Sequence, residues 1–371
     1  MLLNKLKYLQ IIVIAVISTS CATIFSSPIS QNPSQIVGEY TVAQISDIAP
    51  VNDIHISKLC PTGPPILLDG QGQPIDDGFD IWANSIPAGS LIHGLFDDDI
   101  EQATPIGQQT YHVPANIPLR IYIQAMFTEG GYLNGPLTVH SMVILDEQQL
   151  EGGFEGIDGG HLETTLEPGV RQEITVTLPP LVPGGHDLLT LGFYNFLNEV
   201  GDKIKLLSAS RVSLIAGEEA LIQPHTFRIF NGEGNRDNTT HYFLQALSPK
   251  VGKIGQSFEL LLSTNYTDVH YGGYEDLPSP ELQNMAILLF DNYEQVNFST
   301  ESEILYAAID TRYQTTNIPI TYTPQTSGEH ELIVFAIVNP GIPGCLLTEP
   351  ELGVMLLDRT DYAYTQFTIT E

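Results

Sequence analysis

Basic residues are scarce. The 371-residue chain carries 14 Lys and Arg against 44 Asp and Glu, a formal net charge of −30. Such a surface repels nucleic acid and anionic lipid, which excludes a nucleic-acid binder. Cysteine is also rare, with three in all, so a zinc ribbon or CxxC redox site is excluded. Tryptophan occurs once, at Trp82. No amphipathic helical stretch exceeds two or three turns. HExxH, GxSxG, a phosphate loop and a dinucleotide Gly pattern are all missing, so no enzyme class is indicated.

What is present begins with a targeting segment. Lys5 and Lys7 precede the apolar run LQIIVIAVI (9–17), which is too short for a comfortable spanning helix. Small residues lead into Cys21. This order resembles a bacterial lipobox, and the resemblance implies acylation of Cys21 and a lipid-anchored, exported protein. Ser18 stands where the pattern prefers an aliphatic residue; ordinary cleavage after Ala22 is the alternative. Residues 1–20 are read as a signal peptide. Residues 21–37, rich in Ser, Pro and Gln, are read as a flexible tether. Without Lys5 and Lys7 the net charge becomes −32. Cys60 and Cys345 then remain as an even pair in an exported chain, and a disulfide between them is expected, with two free thiols as the alternative.

The chain repeats itself. GHDLLTLGFYN (185–195) and EHELIVFAIVN (329–339) share a His, an acidic residue, an alternating apolar run and a closing Asn. MVILD (142–146) matches ILLFD (287–291), and LRIYIQAMFT (119–128) matches FELLLSTNYT (258–267). Order is preserved while spacing drifts only in loops, as in tandem copies of one fold. The segments are short, rich in β-branched and aromatic residues, and punctuated by turns such as Pro183-Gly184-Gly185. The fold class is all-β, as tandem β-sandwiches.

The turn–Gly–x–His–acidic–apolar–Asn pattern resembles strand F of bacterial immunoglobulin-like domains. The resemblance implies a first domain at 108–216 and a second at 245–371, joined by a linker at 217–244. The family's Cys–Trp–Cys core is missing from both. Residues 38–107 hold further strand candidates, GEYTVAQI (38–45) and GFDIWAN (78–84), as a small domain or an extension of the first sandwich.

Candidate sites are few. His186 and His330 follow a tight turn at the start of the doubled strand. Sandwiches often place a Tyr near this point, bonded to backbone at the corner, and a ring nitrogen could do the same. A loop insertion in the second copy, YTDVHYGGYEDLPSPE (266–281), offers Tyr266, His270, Tyr271 and Tyr274 beside Gly272 and Gly273. That is a partner-binding composition, for an extracellular protein or a glycan; the alternative is a loop folded on its own sandwich or on the N-terminal region, pinned by Cys345. Asp69, Asp76, Asp77 and Asp80 faintly resemble a calcium loop, but Gln71 and Gln73 occupy early ligand positions and a solvated turn is the default. Asp97-Asp98-Asp99 cannot all face one ion. No cofactor is expected. The reading is a non-catalytic, envelope-anchored protein for display, adhesion or scaffolding, with a glycan- or calcium-binding surface protein and a divergent secreted hydrolase as alternatives.

Overall fold

The computed structural model describes residues 36–41, 91–97, 109–128, 135–197, 203–217, 225–235, 243–247, 251–265, 282–298, 302–310, 313–342, 354–356 and 365–371. Among them every regular element is a strand. In chain order these begin with β1 (Ile36–Thr41), β2 (Leu91–Asp97), β3 (Gln109–Val113), β4 (Leu119–Phe127) and β5 (Leu137–Leu145). Next come β6 (Gln148–Gln149), β7 (His161–Leu166), β8 (Gln172–Leu178), β9 (Gly184–Leu197) and β10 (Lys203–Ala216). The second half holds β11 (Thr226–Phe230), β12 (Gly232–Asn235), β13 (Phe243–Leu247), β14 (Val251–Lys253), β15 (Phe258–Asn265) and β16 (Leu282–Asp291). It closes with β17 (Glu294–Gln295), β18 (Ile304–Asp310), β19 (Tyr313–Tyr322), β20 (Gly328–Val338), β21 (Val354–Leu356) and β22 (Thr365–Thr370).

The topology repeats. In the first sandwich a β2-β4-β8 sheet faces a β3-β10-β9-β5 sheet, with β7 on the outer edge of β5. In the second, β13-β15-β19 faces β14-β22-β20-β16, with β18 outside β16. The short parallel strand at the far edge recurs as well: β3 on β10 and β14 on β22. The doubled sequences are thus the same strands of two like sandwiches. Extra strands decorate the second. β11 and β12 lie within 217–244, expected to be a linker, and both pair into the second sandwich. The N-terminal region divides, with β1 pairing β11 while β2 pairs β4.

Each sandwich has its own core. Ile123, Val143, Val176, Leu188 and Leu214 fill the first; Leu262, Ile287, Ile320, Val334 and Phe367 fill the second. A third cluster joins them: Met142, Ile144, Leu189, Leu191 and Phe193 pack on Ala286, Leu288, Phe290, Ile333, Phe335 and Ile337. The β5-β9 and β16-β20 sheets therefore lie face to face, making four layers. This explains LIVFAIV. Successive side chains of a strand point to opposite faces. Along β20, Leu332, Val334 and Ala336 enter their own core, while Ile333, Phe335 and Ile337 enter the seam. β16 alternates likewise through Met285 to Phe290. A strand buried on both sides reads as an unbroken apolar run.

Candidate functional site: the seam between the sandwiches

Two hairpins open the seam. The two-residue loops Asp146-Glu147 and Asn292-Tyr293 have φ of 50° and 62°, and 50° and 70°. Paired positive φ is what a type I′ hairpin requires, and Gly or Asn normally supplies it. Glu147 and Tyr293 hold it with large side chains, at a cost of order 1 kcal/mol each. Both side chains are buried in the seam.

The hairpins clasp reciprocally. Gln149 N–H donates to Gln295 Oε1 at 2.5 Å, and Gln295 N–H donates to Gln149 Oε1 at 2.5 Å. Gln149 Nε2 donates to Tyr293 O at 2.7 Å, and Gln295 Nε2 donates to Glu147 O at 3.1 Å. Each side-chain amide thus pairs with the other hairpin's backbone as a further peptide would. A relation in which i meets j and j meets i is the mark of a two-fold interface. Here it forms between two halves of one chain.

Tyr293 crosses into the first sandwich. Its ring stacks on His140 with centroids 3.9 Å apart and planes 9° apart. Its hydroxyl accepts from Lys205 Nζ at 2.7 Å and from Asn195 Nδ2 at 3.1 Å, and donates to Glu331 Oε2 at 3.1 Å. Lys205 Nζ also lies 2.5 Å from Glu331 Oε2. Nearby, His161 Nδ1 meets Glu294 Oε1 at 2.8 Å. Burial lowers the His140 pKa, so its ring is kept neutral against Tyr293.

At the other end Arg211 makes the tie. Its Nη2 lies 2.5 Å from Asp187 Oδ2, and its Nε donates to Oδ1 at 2.9 Å. Arg211 Nη1 reaches Val338 O at 2.5 Å and Nη2 reaches Asn339 O at 3.0 Å, both in the second sandwich. The planar guanidinium can serve a carboxylate and two carbonyls at once. Both side chains are almost fully buried, at 5% and 3% exposure.

Glu147 is the anomaly. It is buried, its Oε1 has no hydrogen-bond partner, and Oε2 accepts from Tyr306 at 3.4 Å. Burial first, then Asp187 and Asp146, push its pKa up to about 8, with Arg211 opposing. The carboxyl is therefore mostly neutral at pH 7. Burial and the Glu147 carboxyl raise the Tyr306 hydroxyl in turn.

The doubled histidines lie outside the seam, at the corner of each sandwich. His186 Nδ1 meets Asp146 Oδ2 at 2.6 Å and Nε2 meets Val182 O at 2.8 Å. His330 meets Asp291 Oδ2 at 2.6 Å and Thr326 O at 3.1 Å. Each ring thus bonds the carbonyl four residues upstream, the corner role expected from the sequence. Both partners of His186 are acceptors, so both ring nitrogens donate; the Asp146 bond first, then Val182 O, raises its pKa. The carboxylate work differs between copies. Asp146 also accepts from Asp187 N–H at 2.9 Å, whereas in the second copy Asn292 accepts from Glu331 N–H at 3.0 Å and Asp291 instead accepts from the Tyr322 hydroxyl beside the histidine.

The repeated pairs Asp187/Glu331 and Asn195/Asn339 of the doubled strand all act in the seam. Arg211, Lys205, Glu147, Gln149, Tyr293 and Gln295 were not visible as a site. The signal for them was the double-faced apolar strand, which needs a neighbour on each side. Cys21, Cys60, Cys345, Tyr266, His270, Tyr271 and Tyr274 lie outside the described residues, as do Asp69, Asp76, Asp77, Asp80, Asp98 and Asp99. Among the described residues no group of three or more His, Cys, Asp or Glu could hold a metal ion.

No family model and no curated protein matches the sequence. Solved structures resemble it weakly. The native-conformation alpha-2-macroglobulin of E. coli matches at 12% identity and TM-score 0.22, over 81% of this chain and 17% of that one. The Salmonella enterica SafA pilin in complex with the SafB chaperone matches at 10% and 0.22, over 70% of this chain and 95% of that one. Red sea bream transglutaminase matches at 9% and 0.20, over 82% and 34%. The chain thus spans only 17% of the first of these proteins.

Proposed function

We propose that this chain is a non-catalytic β-sandwich protein of the bacterial cell envelope, lipid-anchored through Cys21, which displays its loops to extracellular partners. One observation carries the reading. The perturbed buried groups Glu147 and His140, and the ion pairs Arg211–Asp187 and Lys205–Glu331, are engaged in holding two sandwiches together. A seam so built suits a stiff two-domain spacer, which presents loops at a fixed distance from a tether. The acidic surface, net charge −30, favours solubility over membrane or nucleic-acid contact.

Two measurements test it. Mass spectrometry of the mature protein from cells is expected to find an acylated N-terminal Cys21, and an N-terminus at Thr23 contradicts anchoring. Replacing Tyr271 and Tyr274 with Ser is expected to weaken adhesion of cells displaying the protein while leaving Tm unchanged. Unchanged adhesion contradicts the role given to that loop.

A further inference from the structure

β1 does not belong to the first sandwich. It pairs antiparallel with β11 in the large sheet of the second, with Glu39 beside Arg228, Tyr40 beside Phe227 and Thr41 beside Thr226. β2 to β10 then build the first sandwich, where β2 pairs β4. The chain returns as β11, opposite the residue from which it left. Thr41 and Thr226 face each other across an antiparallel pair, where Cα atoms lie about 5 Å apart. Residues 42–225 thus leave and re-enter the second sandwich at one point, as an inserted domain does.

The strand that receives β1 is firmly seated. Phe227 and Phe230 of β11 are 2% exposed, and Arg228, Ile229 and Phe230 lie beside Ala307, Ala308 and Ile309 of β18. Directly after β11, β12 pairs β19 in the facing sheet, so one short stretch holds both layers. Strand direction adds a second point. Followed through β11, β18, β16 and β20, the pairings make β1 and β22 run the same way. Ile36 therefore lies at one end of this sheet and Thr370 at the other. A pull between them draws β1 lengthwise along β11. Ladder bonds perpendicular to the strands are then loaded together rather than one by one.

We propose that the first sandwich is an insertion between β1 and β11, and that tension on the chain ahead of Ile36 is borne by the β1–β11 joint. The load passes straight into the second sandwich. The first sandwich and the seam stay out of its path until β1 gives way. The inference takes from the tethered reading only the source of the tension. Its test applies the pull to the purified protein, so it can fail while acylation of Cys21 stands, and the reverse.

Optical-tweezers recording at constant force, with handles ahead of Ile36 and at Glu371, tests it on the full chain. The first extension step is expected to be no longer than about 200 Å, the whole reach of the residues from Ile36 to the start of β2 at ~3.6 Å each. Unravelling of β2 to β10 first would add about 450 Å on the same scale, and it overturns the proposal. Neighbouring residues of an antiparallel strand alternate in bonding, so Glu39→Pro with Tyr40→Pro removes at least one donor to β11. This variant is expected to shorten the wait before the first step roughly tenfold, about what one ladder bond is worth. An unchanged wait overturns the proposal, and the wild-type step order decides without any variant having to fold.

Discussion

Gln149 and Gln295 exchange hydrogen bonds: each backbone N–H donates to the other's Oε1 at 2.5 Å. Their relation is isologous although they belong to one polypeptide. The seam behaves as a dimer interface made internal by tandem repetition. Because each amide serves the other's backbone, removing one leaves its partner's N–H or carbonyl unmet. Gln149→Ala and Gln295→Ala are each expected to cost about 1–2 kcal/mol by urea denaturation. The double variant is expected to cost less than their sum, by a coupling of about 1 kcal/mol. Strict additivity would mean that the clasp is incidental.

Arg211 is the costlier point of failure. Arg211→Met strips a buried Asp187 of its counter-charge and frees the carbonyls of Val338 and Asn339. Such a loss is expected to cost about 3–5 kcal/mol. Adding Asp187→Asn is expected to recover part of it, since the orphaned charge disappears. A double variant weaker than Arg211→Met alone would show that Asp187 is held by something else.

His186 makes one corner pH-dependent. Its folded-state pKa is raised by the Asp146 bond, so its contribution is fully present below the unfolded value near 6.5. It fades as pH rises through the folded value. The stability difference between wild type and His186→Gln is expected to shrink from pH 5 to pH 9. A difference that stays constant over that range contradicts the pairing.

Much of the architecture was legible in the residues. The doubled strands carry long apolar stretches, unbroken in LIVFAIV (332–338), and hydrophobic runs of that size leave few alternatives. The linker at 217–244 was misleading because TFRIF is a single short strand whose partner, β18, lies some eighty residues further on. The seam left almost no trace. Arg211 and Lys205 are isolated residues on an alternating strand, and nothing in DEQQ or NYEQ says that a glutamine will meet its own repeat. Even the histidine corner changes its carboxylate between copies, from Asp146 to a divided Asp291 and Asn292, so residue identity alone could not pair them.

Glu147 has the opposite sign to His186. Its acid is held neutral in the fold, with a pKa near 8 against an ordinary 4.5. The folded state keeps a proton that the unfolded chain loses between those values, so this group lowers stability progressively from about pH 4.5 to 8. Glu147→Gln keeps the shape without the ionisation. It is expected to change little at pH 4 and to stabilise at pH 8–9, by differential scanning fluorimetry. Loss of stability at alkaline pH would mean that the carboxylate is ionised and paired.

The central claim is that two like sandwiches share a buried face, with Leu189, Leu191 and Phe193 set against Phe290, Ile333 and Phe335. Scanning calorimetry of the whole protein tests it most directly. A common face makes the halves unfold together, so one transition is predicted with matching calorimetric and van't Hoff enthalpies. Two separated transitions, each with the enthalpy of a single sandwich, would contradict it.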